Sequence, residues 1–249
     1  MHNKAVSKTR LDVYLVTSGQ FDSRAQARAA IEAGKVLVDG QVVRKASLAV
    51  AEGAVISAEK LHPYVSRAAL KLKGALDEFD VDVTGKACLD VGASTGGFIE
   101  VLLEAGARHV TGVDVGTGQL HSTLRQDARV TSLEQMDARE LTAESLPAPP
   151  EIITCDASFI GLAKVIDTPL SLAAARCDLI ALFKPQFEVG RLHVGKGGLV
   201  KDDAALRAAL ERFRIWLNGR YGFEIRGVTD SPIAGGDGNR EFLVHARKG

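Results

Sequence analysis

Apolar and polar positions along this chain follow two rhythms in turn. Over residues 10–33 the apolar positions recur every three to four residues in two blocks. That spacing predicts a helix, a turn at Ser18-Gly19, and a second helix capped near Asp22 or Ser23 and ended at Gly34. The stretch KVLVDGQVV that follows alternates apolar and polar residues around Asp39-Gly40, a hairpin signal. In YVSRAALKLKGAL the spacing is helical again, with an apolar stripe of Val65, Ala68, Ala69, Leu72, Ala75, Leu76 and, beyond the quoted stretch, Phe79. At about 100° per residue, Lys71 falls at the edge of this stripe, one turn after Arg67.

From residue 86 the pattern changes to short apolar runs. Strands are predicted at 87–91, 109–115, 129–134, 151–156, 178–184, 222–229 and 241–247, with helices notably at 97–105, 161–175 and 202–219. Strand–helix alternation predicts an α/β fold built on a mostly parallel, doubly wound sheet. Only a loop separates the last two strands, so one of them is expected to run antiparallel. Pro63, within KLHPYVS, and a shift in polarity mark a linker at 60–66 between a small domain, 1–59, and a large one, 67–249.

Composition narrows the class without naming a ligand. The 249 residues are 46% hydrophobic and 25% charged, with a formal net charge of +0, as in an ordinary soluble globular protein. The balance is uneven, because residues 1–60 carry nine Lys or Arg against six Asp or Glu. Cys88, Cys155 and Cys177 sit in or beside apolar runs without metal-ligand spacing, which points to reduced thiols and no metal. The opening MHNKAVSKTR lacks an apolar signal core, and runs such as LIALF fall far short of the roughly 20 residues that span a bilayer. These features predict a soluble, cytoplasmic chain without a membrane partner; they leave the oligomeric state open, with a monomer favoured.

Candidate chemistry gathers at strand ends. LDVGASTGGF occupies the first strand-to-helix turn of the large domain, where Gly92, Ala93, Ser94, Thr95, Gly96 and Gly97 can bring backbone close to a ligand at a helix N-terminus. The spacing G-x-x-x-G-G differs from the dinucleotide pattern G-x-G-x-x-G. Asp90, two residues before the first glycine, would repel a pyrophosphate but suits a ligand with a cationic head, such as S-adenosylmethionine. Asp114, followed by Val115, ends the next strand, where it could accept ribose hydroxyls. Asp137 follows the third strand and could meet an adenine amino group. Asp156 ends the fourth strand and Lys184 the fifth, with Pro185 terminating the ladder, while Glu241 opens the last. With Lys71 they read Lys, Asp, Lys, Glu in chain order.

Two resemblances rest on these residues. SRAQARAAIEAGKVLVDGQVV resembles the small RNA-binding module shared by a small-subunit ribosomal protein, bacterial tyrosyl-tRNA synthetases and many pseudouridine synthases. The resemblance implies structured RNA as ligand, with Arg10, Arg24, Arg28 and Lys35, joined by Arg67 beyond the module, as candidate RNA contacts, those of the module bearing on phosphates. VSRAALKL, DVGASTGGF, CDASFI, LFKPQFE and GNREFLV resemble the FtsJ/RrmJ kind of 2′-O-ribose methyltransferase, and the whole chain resembles the TlyA family, often labelled haemolysin A. That likeness implies a Rossmann-like, seven-stranded methyltransferase sheet behind a small α+β RNA-binding domain. It also implies S-adenosylmethionine as cofactor, bound in part by Asp90, Asp114, Asp137 and Asp156. The partner would be ribosomal RNA or ribosomal subunits with cytidine targets, and the tetrad Lys71, Asp156, Lys184 and Glu241. Lys184 is expected to be the base, Asp156 to hold the lysine geometry, and Lys71 and Glu241 to position base and ribose. A cytolysin, an RNA-binding protein with an inactive methyltransferase domain, and a dinucleotide oxidoreductase remain the competing readings.

Overall fold

The computed structural model describes residues 8–233, 235 and 239–249. The chain divides into two compact units, Met1–Val65 and Ser66–Gly249.

In the smaller unit, β1 (Lys8–Arg10) leads into α1 (Leu11–Thr17), followed by α2 (Arg24–Glu32), β2 (Val36–Val38), β3 (Gln41–Val42), β4 (Ala49–Ala51) and β5 (Ile56–Ala58). Ser23 caps α2 by accepting from the Gln26 amide at 3.3 Å. The expected β2–β3 hairpin turns at Asp39-Gly40, both with positive φ. β5 pairs with the other edge of β2, and β4 pairs with β1, two strands that local alternation did not reveal. Leu11, Leu15, Phe21, Ile31 and Val36 close a separate core.

The larger unit opens with α3 (Ala68–Phe79), then β6 (Ala87–Val91), α4 (Gly97–Glu104), β7 (His109–Asp114), α5 (Ser122–Arg125), β8 (Val130–Glu134) and β9 (Ile152–Cys155). It continues through α6 (Leu162–Val165), α7 (Asp167–Ser171), β10 (Cys177–Phe183), α8 (Pro185–Glu188), α9 (Asp203–Tyr221), β11 (Glu224–Asp230) and β12 (Phe242–Lys248). The sheet order is β11-β12-β10-β9-β6-β7-β8. β10, β9, β6, β7 and β8 are parallel neighbours, and β12 is antiparallel to both β10 and β11. One strand therefore runs against the rest, as expected. The chain leaves β6 toward β7 on one side and returns to β9 on the other, so a crevice opens at the carboxyl ends of β6 and β9.

Two helices differ from expectation. The predicted helix 161–175 is two short helices, because Pro169 has no N–H to donate to the Val165 carbonyl and the ladder restarts at Ile166. The helix predicted from residue 64 begins at Ala68, and its buried residues are Ala69, Lys71, Leu72 and Ala75. Lys71 thus lies on the buried face rather than at its edge.

Large side chains such as Phe183, Phe223, Leu89 and Ile153 are fully buried against the sheet. The three cysteines are buried and free, and burial pushes the thiols of Cys88 and Cys155 up to about 12. Among the described residues no helix is long and apolar enough to cross a membrane. β11 carries a register shift between Ile225 and Gly227, and there the Phe79 ring lies against the glycine. A Cβ at Gly227 would stand 2.5 Å from that ring. Gly227→Ala is therefore expected to destabilise the larger unit by about 1–3 kcal/mol through overpacking, read from the denaturant midpoint at unchanged slope.

Candidate active site

Four charged side chains from four elements meet above the carboxyl ends of β9 and β10. Lys71 comes from the first turn of α3, Asp156 directly follows β9, Lys184 directly follows β10, and Glu241 directly precedes β12. The antiparallel register, with Phe183 opposite Phe242, sets Glu241 beside the end of β10. Lys71 Nζ donates to Glu241 Oε2 at 2.5 Å and lies 3.7 Å from Asp156 Oδ2. Lys184 Nζ stands 2.6 Å from Asp156 Oδ1 and donates to Ser158 Oγ at 2.8 Å. The result is a row of alternating charge, Glu241–Lys71–Asp156–Lys184. Lys71, Lys184 and Glu241 are each less than a tenth exposed. Buried charges persist when each has a partner, and the row provides one for every member.

The glycine turn lies beside it. Gly92 has φ 82°, and a Cβ there would meet the Asp156–Ala157 backbone at 3.2 Å, so the turn and the β9 loop pack at glycine distance. Gly96, with φ 94°, opens α4, and Gly97 is its first residue. Ala93 and Thr95 complete the turn through backbone bonds to Gly96, Val113 and His121. Ser94, held at φ 46°, donates its amide to Asp114 Oδ2 at 2.9 Å, and the other Asp114 oxygen accepts from the Gly116 amide at 2.7 Å. Asp114 is part-exposed, and Val115 beside it is 71% exposed, so this edge of the crevice faces solvent.

Asp90 is the buried acid of the site. Its Oδ1 accepts from Thr154 Oγ1 at 2.7 Å, while its Oδ2 is enclosed without a hydrogen-bond partner. Burial pushes the carboxyl up to about 7, and the charges of Asp156 and Asp114 push the same way against the Thr154 hydrogen bond. An enclosed acceptor beside a glycine cradle fits a ligand that brings a cationic donor, which is the test the cofactor has to meet. Asp137, by contrast, is committed elsewhere: it grips Arg139 through two oxygens, the closest contact at 2.6 Å, and that bonding lowers it to about 2.

The proposed RNA contacts fall in both units. In the smaller, Arg10 and Arg24 both pair with Asp12, Arg28 pairs with Glu32 at 3.5 Å, and Lys35 pairs with Glu59 at 2.9 Å. Arg67, exposed, sits just before α3 in the larger unit.

Several residues of the site carry no sequence signal. Ser158 contacts Lys184, and Thr154 contacts Asp90 from a neighbouring strand. Glu134 accepts three loop amides, those of Gly118, Gln119 and Leu120, and thereby shapes the segment after Asp114. Gly235 faces Glu241, and a Cβ there would lie 2.6 Å from Oε1. The remainder of the glycine-rich loop before Glu241, at 236–238, lies outside the described residues. Among the described residues no group of three or more His, Cys, Asp or Glu could hold a metal ion.

Residues 64–248 match the FtsJ-like methyltransferase family, and residues 9–56 match the S4 domain. The chain is 43% identical over 242 residues to the 16S/23S rRNA (cytidine-2′-O)-methyltransferase TlyA of Mycobacterium tuberculosis, covering 96% of this chain and 90% of that one. It is 41% identical over 183 residues to the 23S rRNA (cytidine-2′-O)-methyltransferase TlyA of Campylobacter jejuni, covering 73% and 70%. A solved structure from Streptococcus thermophilus, described as a hemolysin, superposes with a TM-score of 0.77 at 38% identity, covering 98% of this chain and 90% of that one.

The enclosed Asp90 carboxyl generates a pH signature in the unliganded protein. Its folded-state value lies above the ordinary 3.8, so the folded state binds the extra proton and stability is lost as pH rises from about 4 to about 7. Asp90→Asn removes that proton uptake, and its thermal midpoint is expected to fall less than that of the wild type between pH 5 and 8. Parallel profiles for the two proteins would mean that the carboxyl is already ionised at pH 5.

Proposed function

We propose that this chain, which belongs to the FtsJ-like methyltransferase family and to its S4-bearing TlyA branch, transfers a methyl group from S-adenosylmethionine to the ribose 2′-hydroxyl of cytidine in ribosomal RNA. The observation that carries this reading is the alternating row of Lys184, Asp156, Lys71 and Glu241 beside a glycine turn with an enclosed, unpartnered Asp90 oxygen.

Residue roles follow from the chemistry each position allows. Bound S-adenosylmethionine supplies an electrophilic methyl group on a sulfonium centre. Asp90 Oδ2 would receive its amino group, the backbone of residues 92–97 would line it closely, and Asp114 would take the ribose hydroxyls from the exposed edge. Asp137, tied to Arg139, contributes to this pocket only by reorienting or through its backbone.

A ribose hydroxyl is a poor nucleophile and has to lose its proton as the O–CH3 bond forms. Lys184 Nζ, held between Asp156 Oδ1 and Ser158 Oγ, is the base in this scheme. For this Lys184 would first have to give up one proton and stand as the neutral amine. It would then take the hydroxyl proton and regain its ammonium form as the 2′-oxygen takes the methyl group, with S-adenosylhomocysteine as the other product. Asp156 bridges the two lysines, and Glu241 anchors Lys71, so the row fixes the base at both ends of its reach. General-base assistance contributes about 10²–10⁴-fold. Alignment of the hydroxyl with the S–CH3 bond can supply about 7–11 kcal/mol of the barrier reduction. The S4 domain would bring structured RNA to the site through its basic side chains.

Lys184→Ala is expected to lower methyl transfer by about 10²–10⁴-fold while cofactor binding persists, measured by mass analysis of rRNA nucleosides and by calorimetric titration. Turnover at the wild-type rate would remove Lys184 as base. Gly235→Ala, which crowds Glu241 without deleting a charge, should depress kcat with cofactor affinity unchanged; an unaltered kcat would show that Glu241 can shift at no cost to the reaction.

A further inference from the structure

Among the described residues of the smaller unit, Asp12 is the one acidic residue whose side chain is completely buried, at 0% exposure among Leu11, Leu15 and their neighbours. It stands in the first turn of α1, between the end of β1 and the start of α2. Arg10, the last residue of β1, donates Nε to Asp12 Oδ1 at 2.9 Å and Nη2 to Oδ2 at 3.1 Å. Arg24, the first residue of α2, donates Nη2 and Nε to the same Oδ2 at 2.8 and 3.3 Å. Hydrogen bonding from Arg10, aided by Arg24 and opposed by burial, holds the Asp12 carboxyl well below its ordinary range.

The two guanidiniums are not consumed by this arrangement. Their side chains are 50% and 58% exposed. A guanidinium has five N–H donors in a fixed fork, and only two on each go to Asp12, which leaves three on each for another anion. Two cations share one carboxylate, so the cluster keeps a surplus positive charge. A buried ion pair is seldom the cheapest way to stabilise a small core, since apolar replacements are often neutral or better. What the buried carboxylate does supply is orientation, because long arginine side chains otherwise lose rotamer freedom on binding.

We infer that Asp12 is a positioning residue that locks Arg10 and Arg24 into a single two-pronged receptor for RNA phosphates. The inference rests on the RNA-binding reading of the smaller unit, and it assigns to a negatively charged residue a favourable part in binding a polyanion.

That sign makes it testable in the full-length protein. Charge alone predicts that Asp12→Asn tightens RNA binding, because a negative charge is removed. Positioning predicts the reverse: affinity for purified 23S ribosomal RNA falls on the order of tenfold, as one charge-assisted phosphate contact is lost. The slope of log affinity against log salt is expected to fall by about one unit. S-adenosylmethionine affinity, measured on the same samples, should stay at the wild-type value. Arg10→Lys and Arg24→Lys keep both the charge and the Asp12 partner but lose the fork, and each is expected to weaken RNA binding. These two variants decide the matter if Asp12→Asn unfolds the smaller unit. Equal or tighter RNA binding by a folded Asp12→Asn, or wild-type binding by both lysine variants, overturns the inference. Failure of the wild-type protein itself to bind the RNA would instead overturn the reading on which it rests.

Discussion

The larger unit is organised around the contact between the Lys71 ammonium and the Glu241 carboxylate. These residues are 170 positions apart in the chain, and both are nearly excluded from water. Neither charge is tolerable alone in that setting, so the helix that opens the unit and the strand that closes its sheet have to arrive at the same point. Once they do, Asp156 lies within reach of Lys71, and Lys184 within reach of Asp156. The row is mutually supporting: each carboxylate has a lysine beside it, and Asp156 has one on either side.

Two buried acids illustrate opposite uses of the same penalty. Asp90 is enclosed with one oxygen satisfied and one open, so burial raises it to about 7. Asp12 is enclosed with two guanidiniums in contact, so its charge is retained. In the proposed function the first would receive a cation that arrives from outside; the second holds cations that belong to the chain. Burial alone would not separate them. The number and sign of the partners does.

Much of this was legible in the sequence. The succession of strands and helices in the larger unit, the antiparallel strand near the end and the hairpin at Asp39-Gly40 follow from periodicity and turn chemistry, while the grouping of Lys71, Asp156, Lys184 and Glu241 comes from the resemblance to the FtsJ/RrmJ enzymes. What escaped was of two kinds. Pro169 divides a helix that apolar spacing alone would run through, since spacing does not weigh the missing N–H. Ser158, Thr154, Glu134 and Gly235 act through contacts set by the tertiary fold, and a serine or threonine near a strand end is too ordinary to stand out. Asp137 reads as a site residue from its place after a strand, yet Arg139, two residues on, captures it. Arg10 and Arg24 read as free phosphate contacts, while the carboxylate that gathers them sits silently in an apolar helix turn.

β12 is the strand synthesised after all the others described, yet it lies inside the sheet, between β10 and β11. Glu241 directly precedes it, so the finished charge row cannot assemble on a chain that stops at β11. The buried charge row thereby depends on the segment that enters β12. A chain cut off at β11 would lack both the counter-ion of Lys71 and the strand that joins β10 to β11.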